Sequence, residues 1–387
     1  MKVIVNRGSH QIGGCCTEIA AGKTRILIDY GSSLPRGDAG KLDVPGVTDG
    51  SSVCDAILIS HYHGDHIGEL CYVPDNIPIY MGKVSREIGI AYQKHMGKNF
   101  LNGLDFHSIR TFDNSPFCIG DIRITPVRSD HSAYDACMFL IEADGRKVLH
   151  TGDYRLHGPR KNRLLHQLEA FQGIDLLITE GTTIGRDDRH SYDEENVENI
   201  IRSAISSYKY CFVLGSSGNI DRIASAAKAV PTGKYFLMDR FQKEILDIVA
   251  SHDPEYRKVF HKAIYLGSNI ATQIERRGFC LLARVNPAME EMLKEYAGKY
   301  PAETCLVYSM WTGYMDKDNI SHFCSLTKNM KIAHTSGHVR LSDMNRMINT
   351  LEPERILFIH TECRKEDIPI DKTDRIVRLD DKEILEL

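Results

Sequence analysis

Short apolar runs separated by turn signals dominate the first half of the chain. Arg25–Asp29, Ala56–Ser60, Ile77–Tyr80, Ile122–Val127, Cys137–Ile141, Lys147–His150 and Ile174–Thr179 have the length and β-branched content of strands. Asp144-Gly145 falls between two of them and predicts a hairpin closed by a type I′ turn. Helical periodicity is sparse here and clearest over Val84–Met96. The texture changes after Arg186. Ser191 and Glu194 have capping-box spacing, and Val197, Ile200, Ile201, Ala204 and Ile205 then share one helical face. Cys211–Leu214 and Tyr235–Met238 read as strands, and Ile220–Ala229 and Gln242–Ala250 as helices, an alternation that predicts a parallel α/β unit. The pattern therefore divides the chain into residues 1–187, an inserted domain over 188–331, and a returning segment over 332–387. That last segment carries a helix over Ser342–Thr350 and strands over Ile356–Ile359 and Ile376–Leu379.

The chain has 387 residues, 42% hydrophobic and 26% charged, enough for two or three domain-sized units. No apolar run is long enough for a membrane helix, and the N-terminus lacks the apolar core of a signal peptide, so a cytoplasmic protein without membrane contact is expected. The 11 cysteines include no Cys-x-x-Cys, and Cys15 and Cys16 are the closest pair. Reduced, buried thiols are the expectation, rather than a disulfide framework or a structural zinc knuckle. A formal net charge of −4 gives no overall attraction for phosphate, so any grip on nucleic acid has to be local.

The candidate chemistry concentrates in His61-Tyr62-His63-Gly64-Asp65-His66, directly after a strand. Extended backbone aims His61 and His63 to one side, while Asp65 and His66 come from the following turn and face a second position. Imidazole with carboxylate suits zinc, and a pair of ions suits in-line phosphoryl displacement.

This spacing resembles the signature of the metallo-β-lactamase superfamily. Asp29, His131 in Ser129-Asp130-His131-Ser132, and Asp153 in Thr151-Gly152-Asp153 occupy positions similar to the other motifs of that family. The resemblance implies an α/β fold: an αββα sandwich in which Asp29 supports the metal loop. Two zinc ions are implied, one held by His61, His63 and His131, the other by Asp65, His66 and His360, with Asp153 bridging them.

Three further segments are similar to the motifs of the β-CASP nuclease branch, whose inserted α/β domain matches the change of texture. They are Thr179-Glu180-Gly181-Thr182-Thr183, His334-Thr335-Ser336-Gly337-His338 and Ile359-His360-Thr361-Glu362. The closest texture is that of the ribonuclease J family, which has His-Gly-Glu where this chain has His-Thr-Glu; the resemblance implies the same ligand role for the histidine. Members of that family carry a further C-terminal domain, so nothing about oligomeric state is carried over. By resemblance Asp65, Glu180 and His338 are the catalytic candidates, and Ser336, Gly337 and His338 contact substrate. Ser216, Ser217 and Asn219 lie where a strand gives way to a helix, a place that binds anions, and are candidate phosphate contacts; helix capping is the competing use. The implied substrate is nucleic acid, single-stranded RNA first, with DNA or a small ester as alternatives. Arg160, Lys161 and Arg163 read as a solvated basic loop, and Trp311 and Tyr314 as core aromatics rather than base-stacking platforms.

Overall fold

The fold is described from a computed structural model, which covers residues 1–34, 40–51, 53–97, 100–171, 173–186, 192–267, 271–363 and 368–387. It contains two compact units, one of residues 1–189 with 337–387, the other of residues 190–336.

Two seven-stranded sheets build the first unit. One runs in the order 384–386, 2–7, 16–21, 24–28, 56–58, 79–82, 110–112. The other runs 376–377, 355–359, 176–180, 146–150, 137–143, 122–128, 117–119. Alternation along single strands shows why they stack. Phe139, Ile141, Ile178 and Leu357 join Val3, Val5, Ile19, Ile26 and Leu58 in a core shared by the two sheets. Their sequence neighbours Met138, Leu140, Leu177 and Ile356 point the other way, onto Leu164, Leu168, Met344, Met347 and Ile348. Those last residues belong to helices Lys161–Leu168 and Leu341–Leu351, which cover the second sheet. Helix Lys83–Met96 packs beside strands 79–82 and 110–112 of the first sheet, so the order of layers is αββα. Strands with both faces buried read as near-continuous apolar runs, which is how they appear in the sequence.

The predicted hairpin forms: Ala143 pairs Arg146, and Asp144 and Gly145 have φ of 53° and 72°, as a type I′ turn requires. Strand ends differ from expectation by one or two residues. Ser191 lies outside the described residues. The helix there spans Glu194–Ser207 with Asp193 at its N-cap, whose amide donates to Asn196 Oδ1. Glu194 is consequently not the returning carboxylate of a capping box. It sits in the first helical turn, buried, with Oε1 accepting from Arg222 Nε at 2.7 Å. Arg160 stands at the N-cap position of the helix that Lys161 and Arg163 enter, so the expected basic loop is a helix start.

The second unit is an all-parallel six-stranded sheet, ordered 263–265, 235–238, 279–283, 210–214, 304–308, 330–332. Tyr210, Phe212, Phe279, Leu281, Leu306 and Tyr308 pack with Leu293, Tyr296 and Phe323 from its helices. Trp311 and Tyr314 are not core residues: they are 45% and 40% exposed, with their rings edge to face. No helix among the described residues is long and apolar enough to cross a membrane.

Candidate metal centre

The strand Ala56–Leu58 delivers Ser60 and then His61 to one rim of the first sheet, and a short helix over Gly64–Ile67 turns the chain so that His66 folds back. Strands of the second sheet end at the same place. His131 follows 122–128, Asp153 follows 146–150, Glu180 ends 176–180 and His360 follows 355–359. Asp29 and His360 both have left-handed backbone, φ 61° and 54°. That conformation, uncommon away from glycine, turns each side chain sharply off its strand end.

His61, His66, His131 and His360 are each held by one nitrogen and aimed with the other. His66 Nδ1–H donates to Asp29 Oδ2 at 2.7 Å, and His61 Nδ1 meets Ser60 Oγ at 3.1 Å. The same Asp29 accepts from the Ser60 amide and hydroxyl at 2.7 and 2.8 Å, so one carboxylate fixes the whole turn. His131 Nδ1–H donates to the Gly337 carbonyl at 2.7 Å, and His360 Nδ1 meets Thr182 Oγ1 at 2.6 Å. Bonding of this kind at Nδ1 is what orients imidazoles that ligate through Nε2. Asp130, wholly buried, accepts from Gly158 at 3.1 Å and from Arg155 Nε at 3.3 Å, tying the loop after Asp153 to the one bearing His131.

The donor atoms that remain converge. One atom each from His61, His63, His131 and Asp153 lies within 4.8 Å of all the others. Cys15, His66 and His360 form a second such group, and Asp153, Glu180, His338 and His360 a third. Asp153 Oδ2 is 3.7 Å from His61 Nε2, 3.4 Å from His66 Nε2 and 3.5 Å from His338 Nδ1, which puts it between the groups. Asp65 Oδ2 is 3.2 Å from His360 Nε2. His61 Nε2, His66 Nε2 and Asp153 Oδ1 are buried without a hydrogen-bond partner. Leaving such atoms unmatched is costly unless something else engages them. Three imidazoles and carboxylates arranged this way fit zinc-type cations.

Electrostatics agree. Burial, reinforced by neighbouring imidazoles, keeps His61 well below the usual imidazole range, so it stays a neutral donor. Burial would also lower His66, but Asp153, Asp29 and Asp65 hold it well above that range. Asp153 is held well below the usual carboxylate range, because His66, His360 and His338 outweigh the cost of its burial. The field at this end of the site favours positive charge.

Beside this cluster, His338 Nδ1 is 2.9 Å from Glu180 Oε2, while Glu180 Oε1 accepts from the Tyr154 amide at 2.8 Å. Burial opposes protonation of His338, yet Glu180 and Asp153 push its pKa up to about 9.

Sequence reasoning did not single out Ser60, Thr182 or the Gly337 carbonyl as holders of the ligands. Ser60 could have been suspected from its place next to His61; Thr182 and a glycine carbonyl carry no such signal. Arg160 donates to the His131 carbonyl at 2.7 Å and so steadies a ligand loop. In the second unit Asn219 Oδ1 accepts from the Arg222 amide at 3.1 Å and caps its helix, the competing use. Ser216 Oγ accepts from Gly218 at 3.2 Å, whereas Ser217 Oγ is buried without a hydrogen-bond partner. Ser336 belongs to this unit too.

The sandwich, its insertion and the histidine-rich rim define a class. Residues 24–204 match the β-lactamase superfamily domain, and the chain has the metallo-β-lactamase αββα fold with a β-CASP-type α/β unit inserted. Its curated relatives include nucleases. It is 28% identical to ribonuclease J of Helicobacter pylori over 47% of this chain and 28% of that one. It is 29% identical to endoribonuclease ysh-1 of Neurospora crassa over 45% of this chain and 23% of that one. The chain thus matches about a quarter of the length of these relatives. A crystal structure of a protein of unknown function from Enterococcus faecalis V583 superposes over 100% of this chain and 99% of its own with a TM-score of 0.76 at 18% identity, a likeness of fold.

Proposed function

We propose that this protein is a zinc-dependent nuclease that hydrolyses phosphodiester bonds, with single-stranded RNA as its substrate. The observation that carries the reading is the convergence of buried, partnerless donor atoms on His61, His66 and Asp153 beside the Glu180–His338 pair. The nuclease names of the two relatives support the substrate class.

His61, His63 and His131 would hold one ion, Asp65, His66 and His360 the other, and Asp153 would be shared. Two zinc ions so bound supply an acidified water near neutrality and offset charge on phosphoryl oxygens. Asp65 would also accept a hydrogen bond from the attacking water and orient it. His338 would give a proton to the leaving oxygen, or a hydrogen bond to a non-bridging one. Glu180, bonded to Nδ1, would fix its tautomer and direct Nε2 to that task. Ser217, with Ser216 and Ser336, would contact substrate phosphates; the Asn219 oxygen is engaged in capping and would contribute through its amide group.

The test is incubation of the purified protein with RNA and DNA strands of equal sequence, labelled at either end, beside a small carboxylic ester. Metal-dependent cleavage of RNA is expected. Cleavage of DNA alone transfers the reading to a DNA nuclease, and turnover of the ester alone removes the nuclease reading.

A further inference from the structure

Backbone geometry puts Cys15 at the metal rim. Gly13 and Gly14 precede it with φ of 81° and 70°, a left-handed pair. A β-carbon on Gly14 would stand 2.7 Å from Arg7 Nε, and one on Gly13 would stand 3.1 Å from Asp65 Cβ. Buried Arg7 fastens this turn, donating to the Gly14 carbonyl at 2.9 Å and to Glu69 Oε1 at 2.7 Å. The Cys15 amide donates to the Asp65 carbonyl at 3.1 Å, and its own carbonyl accepts from Gly31 at 3.0 Å. Cys15 is thereby stitched to the loop bearing Asp65 and His66 and to the turn after Asp29. On its other side, the Gly8 carbonyl accepts from the His360 amide at 2.8 Å. A β-carbon on Gly8 would lie 3.8 Å from the Cys15 sulfur and 3.9 Å from that amide. The thiol therefore sits where the His360 turn meets the N-terminal strand, in a residue 2% exposed.

The Cys15 sulfur and one nitrogen each of His66 and His360 lie within 4.8 Å of one another. Asp29 and Thr182 occupy the Nδ1 atoms of those two rings, so Nε2 is the atom each offers. His66 Nε2 is buried without a hydrogen-bond partner. Cys16 belongs to no such group among the described residues; it begins a strand and pairs with Arg7.

We propose that Cys15 is a thiolate ligand of the second metal ion, beside His66 and His360, and that it selects thiophilic ions for that position. The inference rests on the two-metal reading above. As the ion enters, the S–H bond breaks, the proton leaves to solvent and a sulfur–metal bond takes its place. Thiolate favours zinc, cobalt and cadmium, whereas an all-oxygen-and-nitrogen set accommodates manganese or magnesium more readily. Cys15 would thus narrow the metals this site accepts.

Cobalt(II) tests this without recourse to activity. The full chain is stripped by chelation and titrated anaerobically, with bound cobalt counted by elemental analysis. A thiolate ligand adds a sulfur-to-cobalt charge-transfer band in the near ultraviolet; imidazole and carboxylate ligands add none. The wild type should show the band with both positions filled. Cys15→Ser should lose it, Cys16→Ser should keep it, and the preference for cadmium over manganese should drop in Cys15→Ser. Two cobalt ions in the wild type with no such band overturn the role of Cys15 and leave the two-metal reading standing. Fewer than two ions in the wild type overturn both. A band that survives in Cys15→Ser assigns the sulfur elsewhere. The wild-type spectrum alone is decisive, so the outcome does not depend on the variant folding.

Discussion

If His338 serves the leaving oxygen, removing it should spare the metals and damage the chemistry. A positioned acid or base contributes about 10²–10⁴-fold, so His338→Ala should lower turnover of RNA by that factor. Glu180 acts through His338, and its effect follows from one contact. The Glu180 Oε2–His338 Nδ1 distance is 2.9 Å, and Glu180 is 1% exposed. A hydrogen bond to a charged group is worth about 1.5–3 kcal/mol, so Glu180→Gln should slow the reaction about 10–150-fold. Gln still offers an oxygen to the Tyr154 amide, so the loop should keep its shape. The double variant should lose little beyond His338→Ala alone, since the two act as one unit. The assay compares RNA with a small phosphodiester whose leaving group needs no proton, alongside metal content. RNA should suffer more than the small ester, with both ions retained. Equal losses on the two substrates would refute proton donation in favour of phosphate positioning. No loss on either would make His338 an ordinary loop histidine and remove the best support for the nuclease reading.

Asp153→Ala should eject at least one ion and abolish turnover while far-ultraviolet circular dichroism stays native; a fully active variant would refute the shared-carboxylate role. Gly31→Ala would set a β-carbon 1.6 Å from the Asp65 carbonyl oxygen and 2.7 Å from the His66 amide. Such overpacking should cost at least about 1–3 kcal/mol and weaken metal binding, whereas Gly298→Ala, with no heavy atom within 4 Å, should be silent or slightly stabilising. In metal-free protein, the His338 pKa is raised from 6.5 to about 9. Its stabilising charge is then fully present below pH 6.5 and lost as pH rises through about 9. The melting-temperature advantage of wild type over Glu180→Gln should shrink across that window; an advantage that grows with pH would contradict the charged pair.

The architecture was legible where the side chains repeat a simple period. Strands such as Cys137–Ala143 are apolar on both faces because both faces are covered, and the run stands out in the sequence. Between Ala250 and the returning segment the elements went unread: strands 263–265 and 330–332 have three residues each and helices 254–260 and 271–277 seven, too short for a period to emerge, but strands 279–283 and 304–308 and helix 287–299 are of ordinary length and were missed as well. The spacing Ser191 to Glu194 suggested a cap, but the helix begins at Glu194 and turns that carboxylate inward to Arg222. Trp311 and Tyr314 were assigned to the core on residue type alone, and type does not report which side of a turn faces water. In the site, crowding of His61, His63, Asp65 and His66 was visible because ligand-type residues are rare at that density. Cys15 was invisible as a neighbour of His66, since its position depends on two left-handed glycines and a backbone stitch rather than on spacing.

The parallel pairing of strands 176–180 and 355–359 has a consequence for how such a chain can change over time. Glu180 pairs Ile359, the Gly181 amide donates to the Ile359 carbonyl at 2.9 Å, and Thr183 Oγ1 donates to the Val339 carbonyl. The chain thus departs from the sandwich and comes back to it at neighbouring points. Loop-closure cost grows only slowly with length, so whatever is spliced between those points costs the sandwich little more than a short loop would. The excursion behaves as a cassette. Exchanging it would leave the metal-bearing loops unchanged, because all of them are rooted in the other unit.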